Sequence, residues 1–103
     1  EGKLPVITLD AKFEQTLSEA TRRTDQGSFI AVPPTTAHRI IGLMGRAAEE
    51  VTMQNYTPLV LTSPGIRLPF RKLVEKALPG LMVMSHNEVE GPVRTLKVVS
   101  LEG

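Results

Sequence analysis

Cysteine is missing from the 103-residue sequence. That absence removes disulfides, thiolate catalysis and any cysteine-based zinc site, in keeping with a cytoplasmic location. No charge sign dominates either: 12 Lys and Arg stand against 11 acidic residues, for a net charge of +1. The chain therefore lacks the overall basic field that nucleic-acid or anionic-membrane partners require. No apolar run approaches the roughly 20 residues needed to cross a bilayer, and no charged-then-apolar leader is present. Internal repeats, low-complexity tracts and long linkers are also missing. What remains is about two fifths apolar residues, enough for one unit burying roughly 65% of its unfolded surface and too few for two cores. The first residue is Glu1, and a strand pattern follows almost at once. The expectation is one α/β domain over residues 1–103, cut from a longer parent.

Strand and helix patterns alternate along the chain. Residues 6–9 read as a short strand, and Asp10 is placed to cap a helix that buries Phe13, Leu17 and Ala20. Asp25-Gln26-Gly27 ends that helix, and residues 28–32 read as a second strand closed by Pro33-Pro34. Thr35 or Thr36 is the expected cap of the next helix, whose stripe of Ala37, Ile40, Ile41, Met44, Ala47, Ala48 and Val51 follows helical spacing. Gly42 and Gly45 inside it each cost about 1 kcal/mol of helix propensity, which points to close approach by a neighbouring element. Leu59-Val60-Leu61 forms a third strand; Ser63 then reads as the cap and Pro64 as the first residue of a third helix. Leu78-Pro79-Gly80 stops that helix, residues 81–84 are extended, Glu90-Gly91-Pro92 turns the chain, and residues 93–101 form a last strand. The order βαβαβαββ predicts a mostly parallel sheet packed with helices, its last strand joined by a tight connection and so antiparallel at or near an edge.

Candidates for chemistry are few. Ser63, His86 and Asp10 have the residue types of a nucleophilic triad, but no Gly-x-Ser-x-Gly elbow is present and the capping role already accounts for the serine. His38 and His86 lack a cluster of further ligands, so no metal is expected. Gly27, Gly42 and Gly45 match no phosphate-cradling loop, so no nucleotide or other cofactor is expected. Glu49 and Glu50 read as a solvated helix face. One surface feature survives. Arg67 and Arg71 lie four apart on the third helix, with Lys72 and Lys76 nearby and Glu75 able to pair with Arg71. Arg favours planar capture of carboxylates, so an acidic helical partner or a neighbouring subunit suits this edge.

The residues of the third helix and the strand after it carry a resemblance. Thr62, Ser63, Pro64, Ile66, Arg67, Phe70 and Arg71, followed by Pro79, Leu81, Val83, Ser85, Asn87, Glu88 and Val89, are similar to a motif pair in the export-gate proteins of type III secretion, the FlhA/FHIPEP family. Segments 4–10 and 21–32 resemble it too, so the likeness covers nearly the whole chain. His86 departs from it, standing where the family usually has Tyr, and Ser63-Pro64 leans towards the flagellar members. The resemblance implies a non-enzymatic subdomain, the last of the cytoplasmic region of a parent anchored in the bacterial inner membrane and assembled as a nonameric ring. It implies docking of the export ATPase stalk and neighbouring gate subunits, and so supplies a partner for the edge of Arg67, Arg71, Lys72 and Lys76 read above as the partner-binding residues. Chaperone–substrate complexes would be met only through upstream parts of the parent. The alternative is a small α/β ligand-binding or enzymatic domain with a site at the strand carboxyl ends, near Ser63, Ser85 and Asn87.

Overall fold

Short β-branched and aliphatic runs assemble one parallel sheet, described here from a computed structural model that covers residues 2–102. In chain order the elements are β1 (Leu4–Leu9), α1 (Ala11–Ala20), β2 (Thr21–Thr24), β3 (Gly27–Ile30), α2 (Pro34–Met53), β4 (Leu59–Thr62), α3 (Arg67–Val74), β5 (Met82–Ser85) and β6 (Val93–Val99). Single 3-10 turns lie at Pro64–Ile66 and His86–Glu88. The main sheet has the order β5-β4-β1-β6, and all three of its pairings are parallel.

Because side chains alternate across a strand, the two faces separate cleanly. Ile7, Leu9, Val60, Val83 and Val99 face the helices and share one core with Phe13 and Leu17 of α1, Ile40, Met44, Ala47 and Val51 of α2, and Phe70 and Val74 of α3. Val6, Leu59 and Leu61 face the other way and form a smaller cluster with Met84 and Val89. This division follows from crossover handedness. The steps β1 to β4 and β4 to β5 run towards the same edge with their helices on one face. The return from β5 to β6 runs the opposite way, so a connection of the same hand must cross the other face. Residues 86–92 do so, laying Val89 over Val6, Leu59 and Leu61.

The last strand thus corrects the expectation of an antiparallel partner: β6 is at the edge, as expected, but parallel to β1. The Glu90-Gly91-Pro92 turn is real, with Gly91 at φ 88. It delivers the chain to the start of β1, where the Leu4 amide donates to the Pro92 carbonyl at 3.1 Å, rather than folding it back on β5. A shift of register at Val6/Ile7 leaves Leu96 as an extra residue in β6, and the strand ends at Val99 instead of 101.

Three further expectations are revised. The chain leaves α1 at Ala20 and enters an antiparallel hairpin, β2–β3, that stands outside the main sheet. β-branched Thr21 and Thr24 favour the extended state, and Gly27 at φ 121 takes a conformation that other residues resist. Helix α2 begins at Pro34 with Pro33 as its cap residue, so neither Thr35 nor Thr36 caps it; proline at the first position gives up only an amide that has no helical acceptor. Helix α3 begins at Arg67 after the 3-10 turn, which places Pro69 harmlessly in its first turn, and it ends at Val74. Of the two helix glycines, Gly45 shows the expected close approach, a Cβ there lying 3.3 Å from Leu78 Cδ2, whereas a Cβ at Gly42 would meet nothing within 4 Å.

Candidate interaction site

Parallel strands gather their carboxyl ends along one rim of the sheet, and the chain's polar motif residues collect there. Thr62 and Ser85, paired at the ends of β4 and β5, are buried. Asp10 caps α1, accepting the Phe13 amide at 2.7 Å. One turn on, Glu14 reaches across: its Oε2 accepts the Ser63 amide at 3.1 Å and its Oε1 accepts the Ser63 hydroxyl at 2.9 Å. His86 Nε2 lies 3.8 Å from the same carboxylate. Ser63 therefore makes no side-chain cap hydrogen bond, correcting the capping role read from Ser63-Pro64. An acid 49 positions away in sequence has claimed its hydroxyl.

A second set of contacts adjoins the first. Ser85 and Glu88 form a capping box: the Ser85 amide donates to Glu88 Oε1 at 2.8 Å, and the Ser85 hydroxyl contacts both Asn87 Oδ1 and Glu88 Oε1. Arg67 Nε lies 3.2 Å from the same Glu88 oxygen. The Ser85 amide chiefly, with the Ser85 hydroxyl and the Arg67 guanidinium, holds the Glu88 carboxyl below its usual range, against a smaller opposing effect of desolvation. The two motif segments thus meet through Arg67 and Glu88, which tie the start of α3 to the crossover 86–92.

This arrangement does not assemble the Ser63, His86 and Asp10 triad. Asp10 is committed to its cap, and the Glu14 carboxylate stands between serine and imidazole where a triad requires the imidazole in the middle. Among the described residues no group of three metal-ligating side chains occurs. Glu50 is tied to Lys97 of β6 at 3.1 Å, while Glu49 is exposed.

The four cationic residues expected to act together divide. Arg67 turns inward to Glu88, its side chain 27% exposed. Arg71 is exposed and only loosely paired, 3.8 Å from Glu75 one turn on. Lys72 spans to the hairpin and donates to the Ser28 carbonyl at 3.2 Å. Lys76 is exposed just beyond the helix end. Arg71, Lys72 and Lys76 therefore present charge to solvent. Two contributors escaped the sequence reading: Glu14, whose place at α1's start looks like ordinary dipole pairing, and Phe29, whose apolar type implied burial although it is 45% exposed.

Fold and site together describe a small α/β module whose polar groups tie its own elements and whose Arg71, Lys72 and Lys76 face outward. The chain belongs to the FHIPEP family, whose profile matches residues 1–94. The flagellar biosynthesis protein FlhA of Caulobacter vibrioides is 34% identical over 101 residues, covering 98% of this chain and 14% of that protein. The chain thus spans about one seventh of the length of such relatives. Among solved structures, the Chlamydia pneumoniae CdsV protein superimposes with a TM-score of 0.80 at 29% identity, over 96% of this chain and 29% of that one. CdsV in complex with CdsO matches at 0.69 and 24% identity, over 96% and 30%. The nonameric EPEC SctV-C gives 0.76 at 26% identity, over 93% and 29%. No described helix is long and apolar enough to cross a membrane.

Proposed function

We propose that this chain is the last subdomain in the cytoplasmic region of a type III protein export gate, of the flagellar kind, and that it acts by docking and assembly rather than by catalysis. Membership of the FHIPEP family carries the reading. The FlhA relatives and Ser63-Pro64 support the flagellar assignment. The parent sits at the cytoplasmic face of the bacterial inner membrane as a ring of gate subunits; the nonameric state of SctV-C supports that stoichiometry. The export ATPase stalk is the expected partner, and the solved pairing of CdsV with CdsO supports a protein ligand on this fold. Chaperone–substrate complexes engage only through other parts of the parent.

Arg71, Lys72 and Lys76 of α3 supply the cationic contacts to the stalk, and Arg67 contributes by holding α3 on the crossover through Glu88. Nothing at the strand carboxyl ends favours the small-ligand alternative, since Ser63 and Ser85 donate to Glu14 and Glu88. The test reverses Arg71 and Lys76 to Glu in the parent, leaving Lys72 on the Ser28 carbonyl, and titrates the stalk at two salt concentrations. Exposed charges are each worth under about 1 kcal/mol, so the melting temperature should hardly move. Affinity should fall roughly tenfold or more, and wild-type binding should weaken with salt because charges are screened beyond about 10 Å at 0.1 M. Unchanged affinity in both comparisons refutes the docking role of this edge.

A further inference from the structure

The main sheet is parallel throughout, yet its two faces are covered unequally. Parallel sheets occur almost only with both faces buried, because their strands are apolar on both sides. Here α1, α2 and α3 all pack on one face, and the other carries only the crossover 86–92. That crossover leaves the carboxyl end of β5 and arrives at the amino end of β6, so it crosses the far face on a diagonal. The ends it misses stay open. Met82, the first residue of β5, pairs with far-face Leu59 and is 47% exposed. Leu4 and Val93, the paired first residues of β1 and β6, are exposed along the same amino rim, and Val98 is exposed at the carboxyl end of β6.

No described strand residue on that face is charged. Arg94 and Lys97 of β6 stand opposite Pro5 and Ile7 and so alternate to the helix side, where Lys97 meets Glu50 of α2. An uncharged apolar surface selects an apolar occupant, since a charge buried against it would find no partner. The length of the relatives says where that occupant is found. This chain spans 29% of the solved CdsV and SctV-C chains and 14% of the FlhA relatives, so most of a parent built like them lies outside these residues. In such a parent the chain that leads into β1 arrives at the amino rim, the one that carries Leu4, Met82 and Val93. A segment tethered there meets the face at a far higher effective concentration than a free partner does.

We propose that the far face of the sheet seats this subdomain in its parent: apolar side chains of the cytoplasmic region that leads into β1 close over Leu4, Met82 and Val93. They complete the second layer that residues 86–92 only begin. The inference rests on the export-gate reading above, which supplies the longer parent. It gives the two sides of the sheet different tasks, the far face holding the subdomain in place while α3, on the opposite side, stays open to partners.

Methionine oxidation reads this contact, because the thioether reacts where peroxide can reach it. The parent is treated with dilute hydrogen peroxide, each methionine is followed by mass spectrometry, and the same preparation is titrated with the ATPase stalk. Met53, 78% exposed at the end of α2, and buried Met44 serve as internal references. Met82 should oxidise about tenfold or more slowly than Met53, close to the rate of Met44, and should stay protected when the parent is diluted to monomer. Met82→Glu should lower the melting temperature of the parent, whereas Met53→Glu should leave it unchanged. Oxidation of Met82 at the rate of Met53 overturns the proposal, and so does equal melting of the two Glu variants. Protection that is lost on dilution overturns it as well, since a second copy would then be the occupant. Any of these beside stalk binding that the α3 reversal weakens leaves the export-gate reading standing. A protected Met82 in a parent whose stalk affinity ignores that reversal refutes the docking role of α3 and not this contact.

Discussion

Replacing Ser63 by Asp separates two accounts of the same residue. A helix-capping serine tolerates aspartate, which caps as well. The structure requires the opposite, because the Ser63 hydroxyl donates at 2.9 Å to a carboxylate on another helix. Ser63→Ala removes one hydrogen bond to a charged group, worth about 1.5 to 3 kcal/mol. The Ser63 amide still satisfies the other Glu14 oxygen, and the Glu14 side chain keeps 21% exposure, so the low end, about 1.5 kcal/mol, applies. Ser63→Asp loses the same bond and brings two carboxylates to hydrogen-bonding distance. At about 4 Å and an effective dielectric near 20 their repulsion is about 4 kcal/mol before either side chain moves. Rotation of the new side chain towards solvent relieves much of it, leaving a total loss of about 2 to 4 kcal/mol, larger than that of alanine. Urea unfolding of the three proteins at pH 7 gives the order wild type, Ala, Asp. Wild-type stability in Ser63→Asp would refute the Glu14 contact and restore the cap.

How much of this was legible in the sequence depends on the distance over which each signal acts. The stripe of Ile40, Met44, Ala47 and Val51 declared α2, and those four residues are buried. The Asp10 cap was equally local, one side chain meeting an amide three residues on. Periodicity describes one element at a time, however, and does not say which strand an element will meet. β6 was therefore recognised as a strand, while its parallel pairing to β1 depends on the path of residues 86–92 over the far face. The hairpin was missed for a related reason. Thr21 to Thr24 follows a helix without a breaker, so the helical pattern was extended through it, and only the tertiary setting brings Thr21 opposite Ile30. At the site, the resemblance singled out Ser63, Arg67, Ser85 and Glu88 without saying why such residues belong together. The contacts of Ser63 with Glu14 and of Arg67 with Glu88 supply the reason. Neither is visible in composition or spacing, because each joins elements that meet only in the folded chain.

Local tests remain for the glycines and for the capping box. Gly42→Ala should stabilise by up to about 1 kcal/mol, the helix-propensity difference, because a Cβ there meets nothing, whereas Gly45→Ala should gain less since Leu78 must give way; equal gains in thermal melts would refute the close approach at Gly45. Gly27→Ala should destabilise by more than about 1 kcal/mol, because the residue sits at φ 121 with a Cβ position 3.0 Å from Lys72 Nζ; an unchanged melting temperature would refute the hairpin geometry. The last test uses pH. The Glu88 carboxyl is held below its usual range in the folded protein, first by the Ser85 amide and then by the Ser85 hydroxyl and Arg67. The folded state then binds this proton less readily than the unfolded state. The carboxylate therefore contributes stability above the ordinary glutamate value of about 4.3 and loses it as pH falls through the lower folded value. Glu88→Gln keeps an acceptor for the Ser85 amide but cannot carry the charge that Arg67 meets. Its deficit in melting temperature against wild type should be present at pH 7 and should shrink as pH falls below the ordinary glutamate value of about 4.3 and through the lower folded one. A deficit that stays constant across that interval would show that shape, not charge, is what Glu88 contributes at the junction of α3 and the crossover.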